Sequence, residues 1–203
     1  MISKYALILA RGFADKGIYK QEEINIYYYG FELLISTVLN LLGIFVVSVL
    51  MSVVSGAVLF CSAFIPLRLA SGGYHAKHHW SCILGFNILF MIFALIQRFL
   101  PVTLILPYSL FSTMLSALIV WTLAPMEAIN KPLKQEHKER QRKRSIFLIC
   151  INMAITLLVC SLRSLCVLLP FLAFYCSGML ASSISLVMAD ISKKHAITNN
   201  TND

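Results

Sequence analysis

The segment Arg68-Leu-Ala-Ser-Gly72-Gly73-Tyr-His75-Ala-Lys-His78-His79-Trp80-Ser81-Cys82 concentrates the reactive side chains of this chain. It holds three of the five histidines, a glycine pair and one of the six cysteines. A cysteine with a histidine can do nucleophilic chemistry: the imidazole takes the thiol proton, and the thiolate attacks a carbonyl. His75 and Cys82 lie seven positions apart. On one straight helix they would share a face but stand about 10.5 Å apart along the axis. That exceeds hydrogen-bond reach. The pair therefore needs a chain that folds back, and Gly72 and Gly73 supply permissive backbone just before His75. Cys82 falls where the next apolar run starts, so a helix N-terminus would lower its thiol pKa. Ser81 is placed to cap that helix.

Two other readings stand beside this one. His75, His78, His79 and Cys82 contain His-x-x-His and His-x-x-Cys spacings that zinc can use. No second ligand pair lies elsewhere at matching depth, and His78 and His79 point to opposite sides of any regular element, so no metal is assigned. The segment is also explicable as a polar interfacial loop with Trp80 as its anchor.

The elements that must position this loop are apolar helices. The chain has 203 residues, 59% apolar and 13% charged, and a mean hydropathy of +0.79. A soluble domain is about 45–50% apolar and about 25% charged. The apolar residues fall in long uncharged runs, which mark spans of about 20 residues. The expected fold is an all-α integral membrane protein with about six transmembrane helices, near 27–49, 52–67, 81–97, 103–123, 145–162 and 165–189. A tight turn near Ser48–Ser55 separates the first two, and Pro170 is expected to kink the last. Residues 1–190 form a single membrane-embedded domain, and 191–203 a flexible tail.

All but two of the 17 Lys and Arg (Arg98 and Arg163) fall on one side of this arrangement. Positive charge stays cytoplasmic, so both termini and the loop Arg68–Ser81 are expected there. The net charge of +8 sits between apolar runs, which excludes a nucleic-acid partner. Cys61, Cys150, Cys160, Cys166 and Cys176 lie inside apolar runs and act as small hydrophobes. Ile2, Tyr5, Leu9 and Phe13 share one helical face among Lys4, Arg11, Lys16 and Lys20, the pattern of an amphipathic interfacial helix.

At this point the residues resemble a family. The run Arg68…Gly72-Gly73-Tyr74-His75…Cys82 looks like the signature of the AgrB (accessory gene regulator B) family, membrane cysteine endopeptidases of Gram-positive quorum sensing. Ala124-Pro125…Asn130-Lys131-Pro132-Leu133 and the basic run to Arg144 look like that family's loop after the fourth span. The resemblance implies an AgrD-like propeptide as substrate, cut at the cytoplasmic face of the cell membrane. It implies Cys82 as nucleophile and His75 as general base. The released C-terminal tail leaves an acyl-enzyme thioester, which an internal Cys or Ser of the peptide converts to a thiolactone or lactone. Arg68 and Gly73 match positions that the family needs, with Gly72 beside them. A homodimer is implied, and no cofactor.

Glu32 lies inside the first span, where an ionisable side chain usually faces protein or a water-filled cavity. It is expected to support the site, by orienting His75, by receiving a basic group of the substrate, or by pairing with Arg68. Lys131 and Lys134 open a basic run able to attract an acidic peptide tail and to bind anionic lipid. Asn40 and Asn152 are expected to make interhelical hydrogen bonds. The rival class is a small peptide exporter or a metal-binding membrane protein with this loop as a gate. Glu32 alone among intramembrane charges offers little for ion coupling.

Overall fold

A computed structural model describes residues 2–72, 79–126, 135–161 and 167–200, with the backbone alone at His79, Cys82, Ala196, Ile197, Asn199 and Asn200. The helices are α1 (Ile2–Asp15), α2 (Ile24–Leu50), α3 (Val54–Ser71), α4 (His79–Phe99), α5 (Val102–Leu123), α6 (Gln135–Ser161) and α7 (Leu169–Asn200). A short 3-10 turn, Gln21–Glu23, leads into α2. No strand occurs among the described residues. Among the described residues five helices (α2, α3, α5, α6 and α7) are long and apolar enough to cross a membrane, and α4 contributes the apolar stretch Ile83–Phe99.

Burial is inverted relative to a water-soluble fold. Leu42, Phe45, Leu50, Phe99, Phe111 and Leu118 face outward, with Leu50 79% exposed. Ser109, Ser112, Ser116, Thr156, Ser177, Ser182 and Ser183 are fully buried. Water would not tolerate that surface, but hydrocarbon does. Inside lipid, small and hydroxylated residues hold helices together. Thr113 and Ser116 return their hydroxyls to carbonyls one turn back, at 2.8 and 2.7 Å. Gln97 Nε2 reaches Ser177 Oγ at 3.0 Å, and Tyr108 Oη shares that hydroxyl at 2.7 Å. Asn152 accepts the Tyr175 hydroxyl, joining α6 to α7 as expected. Asn40 departs from expectation: its Oδ1 is buried with no hydrogen bond among the described residues.

Helix α7 is the centre of the bundle, packed chiefly against α3 and α5. One apolar cluster joins Leu67, Val120, Ile149, Cys176 and Met179; a second gathers Phe90, Phe93 and Phe174 around Phe60. Phe60 meets Phe90 edge-on with ring centroids 5.2 Å apart. Gly178 sets how closely α3 and α7 approach. A Cβ there would stand 2.2 Å from the Phe60 carbonyl oxygen. Both colliding groups are backbone of packed helices, so neither yields cheaply. Gly178→Ala is expected to lower stability by at least the 1–3 kcal/mol of ordinary overpacking. A thermal or denaturant melt of the purified protein in detergent checks this.

Several boundaries differ from expectation. Helix α6 starts at Gln135, ten residues before the apolar run, because Gln, Glu, Lys and Arg are themselves good helix formers. Glu136 and Arg140 add an i,i+4 pair. The segment after 190, expected as a flexible tail, continues α7 to Asn200. There Lys194 meets Asp190 at 2.6 Å, again one turn apart. Pro170 does not kink α7, because it is the second residue of that helix. A missing N–H costs nothing in a first turn. The tight turn between α2 and α3 is present: Val53 N–H closes onto the Ser48 carbonyl at 2.8 Å.

Helix α1 is more than a surface amphipath. Ala6, Ala10 and Ala14, with Ile2, form a buried ridge at i+4 spacing, and α1 packs on α2. Tyr5, Ile8, Leu9 and Phe13 remain outward, available to lipid. Phe13 stacks on Phe31 and Tyr19 on Tyr27, the latter with centroids 3.6 Å apart. The Tyr19 hydroxyl donates to the Ala10 carbonyl. Burial raises the pKa of this phenol, and the neighbouring Tyr27 adds to the shift.

Candidate functional site

Alternating helix directions bring the C-termini of α3 and α5 and the N-termini of α4 and α6 to one end of the bundle. At this end the two sequence motifs meet. Helix α3 stops because Gly72 takes φ +73° and ψ −153°. That region of backbone space is essentially reserved for glycine. The Gly72 N–H still donates to the Arg68 carbonyl at 3.1 Å, closing the last turn. The chain beyond α5 then runs beside it. The Met126 N–H donates to the Ser71 carbonyl at 2.9 Å, and Gly72 pairs with Met126 in a parallel bridge. The approach is tight enough that a Cβ on Gly72 would lie 2.3 Å from the Met126 carbonyl oxygen. Ser71 is fully buried, and its hydroxyl bonds back to the Leu67 carbonyl at 2.7 Å.

Arg68 occupies the last turn of α3, where a cation complements the helix dipole. It is half-buried, with Nη1 shut off from solvent. Cys82 lies within α4, near the His79 end of its described residues. Ser81 is inside the helix, not ahead of it, so the capping role expected for it does not hold. Trp80 is exposed at this end, as an interfacial anchor requires. Gly73, His75, His78, Lys131 and Lys134 lie outside the described residues, as does the side chain of His79.

Glu32 sits on α2, half-buried beside α1. Its carboxylate accepts a 2.6 Å hydrogen bond from the Ser3 hydroxyl and a longer one, 3.4 Å, from Tyr28. It thus fastens the amphipathic helix to the first span. Below the α5–α6 connection a cleft of about 260 Å³ is lined by Thr122, Pro125, Lys138, Glu139 and Arg142 among others. Its rim carries both signs of charge, with the basic side in excess. Ser71 and Met126 escaped the sequence reading. Their contact is between backbones 55 positions apart in the chain, and no side-chain pattern encodes it.

A sequence profile of Accessory gene regulator B matches residues 6–189 of this chain. The chain belongs to the AgrB family. An AgrB-like protein of Clostridium perfringens (strain SM101) is 26% identical over 164 residues, covering 78% of this chain and 77% of the relative. An AgrB-like protein of Halalkalibacterium halodurans is 23% identical over 165 residues, 81% of each. Protein FsrB of Enterococcus faecalis is 26% identical over 127 residues, 63% of this chain and 50% of that protein. No solved structure matches. Membership in the AgrB family implies a part in quorum-sensing peptide processing, in association with an AgrD-like propeptide. The all-helical bundle agrees with the fold expected of such a chain.

Proposed function

We propose that this AgrB-family chain is a membrane cysteine endopeptidase with Cys82 as nucleophile and His75 as general base. His75 takes the thiol proton, and the thiolate adds to the scissile carbonyl of the propeptide. Collapse breaks the C–N bond. The leaving amine takes the proton back from His75, and the C-terminal tail departs. The remaining peptide is held as a thioester on Cys82. An internal thiol or hydroxyl of that peptide gives its proton to His75 and attacks the thioester. A thiolactone or lactone forms, and the Cys82 thiolate is regenerated. With a peptide thiol as attacker, one thioester replaces another, so the exchange is nearly isoenergetic. Water must be kept from the intermediate, and a site at the membrane interface serves that end.

The observation that supports this most is the docking of Ser71 and Gly72 on Met126. It joins the loop that carries His75 to the loop that leads to Lys131 and Lys134. The acidic tail of a propeptide suits that basic run by charge. Arg68, Gly72 and Gly73 then hold the His75 loop in place, with Glu32 as a supporting residue of the site. The reading takes α4 as a sixth span. Both loops and both termini then lie on the cytoplasmic side of a Gram-positive cell membrane, where positive charge accumulates. It takes the protein as a homodimer, as the family resemblance implies.

The test is to trap the intermediate. Purified protein in vesicles, mixed with an AgrD-like propeptide whose internal Cys or Ser is replaced by alanine, is expected to gain the mass of the N-terminal peptide fragment. The adduct should map to Cys82 and be released by hydroxylamine. A cut propeptide with no adduct on Cys82 would contradict the reading.

A further inference from the structure

The lipid-facing side of the bundle carries a groove that the processing chemistry does not use. It lies between the last turns of α3 and the first membrane-depth turn of α6, lined by Pro66, Leu69, Ala70, Arg144, Phe147 and Leu148. Its volume is about 340 Å³, near the lower end of the ~300–1,000 Å³ usual for ligand sites. The walls are apolar, and Leu69 and Phe147 are 76% and 66% exposed. Among the described lining residues the charged one is Arg144, which stands where α6 passes from its polar extension into its apolar run. Lys143 precedes it, and Arg140 lies one turn away.

We infer that this groove binds one anionic phospholipid, its acyl chain against Leu69, Phe147 and Leu148 and its phosphate on Arg144. Three observations carry this. The walls belong to faces that meet hydrocarbon, so acyl chains are the solvent there. The space suits part of one chain, not a folded partner. Arg144 lines the groove, and a guanidinium matches a phosphate with paired donors, which a lysine cannot do. A headgroup of net negative charge also gains from Lys143 and Arg140, whereas a zwitterionic one does not. The inference stands on membrane embedding alone and is independent of the role of Cys82.

The experiment uses the full chain in nanodiscs of phosphatidylcholine. Each preparation carries the same small fraction of an acyl-chain photoreactive probe, either phosphatidylglycerol or phosphatidylcholine. Crosslinked residues are mapped by mass spectrometry. The phosphatidylglycerol probe is expected to label Leu69, Phe147 or Leu148 several-fold more than the phosphatidylcholine probe. Arg144→Gln, a change at an exposed position, should remove most of that excess, and Arg98→Gln at the other end of the bundle should leave it intact. Equal labelling by the two probes, or an excess that persists in Arg144→Gln, would overturn the inference. So would displacement of the label by an acidic amphipathic peptide, which would assign the groove to a polypeptide.

Discussion

A Cys82→Ala protein is expected to insert and fold as the parent does and to leave an AgrD-like propeptide uncut. The expected loss is at least about 10⁴-fold, the scale seen when a nucleophile is removed from a hydrolase. Folding should survive because Cys82 lies within helix α4, and alanine is the best helix former. His75→Ala should produce a comparable loss, and the double variant should lose little more. Residues that act as one unit are not additive. The assay is the appearance of the released C-terminal tail from propeptide in reconstituted vesicles, with insertion checked by fractionation. Processing that persists in Cys82→Ala would remove the nucleophile from the account.

The second large effect is expected at Gly72, a residue that performs no chemistry. Gly72→Ala meets two penalties together. Its backbone, φ +73° and ψ −153°, costs a side-chain-bearing residue about 1–3 kcal/mol. Its new Cβ would also stand 2.3 Å from the Met126 carbonyl oxygen. The loop must then leave Met126, and the Met126–Ser71 hydrogen bond goes with it. The helices themselves do not depend on this contact. The expected variant is therefore inserted and helical by circular dichroism, with processing lowered about 10–100-fold, since each 1.36 kcal/mol is a factor of ten. The contrast with Gly178→Ala is informative: that change strikes the α3–α7 crossing and should appear in the melt. A Gly72→Ala protein of normal activity would show that the two loops need not dock.

The spans were legible because hydropathy is local. Each apolar run in 27–123 became a helix with ends within a few residues of those expected. The polar start of α6 was not, since Gln135–Arg144 carries helix propensity without an apolar face. Pro170 does not act as the expected kink because its effect depends on where the helix starts, which the sequence leaves open by several residues. The alanine ridge of α1 was present at its i+4 spacing, but the large apolar residues beside it mark the lipid face and draw attention first. The sequence proposes the candidate site through the types and order of His75 and Cys82, and the described residues do not include that pair of side chains. The assembly of the site was not legible. Met126 lies far along the chain from Gly72, and their union is made by backbone groups that every residue possesses. Glu32 was found as an intramembrane carboxylate, yet its partner Ser3 gave no signal, because a serine in a charged N-terminal segment is unremarkable.

Activation of Cys82 by His75 is tested by the rate of Cys82 alkylation against pH, in membranes, with and without His75→Ala. It requires no substrate. Fast labelling is expected well below the ordinary thiol pKa of about 8.5, and it should be lost when His75 is replaced. An ordinary thiol profile, indifferent to His75, would contradict it.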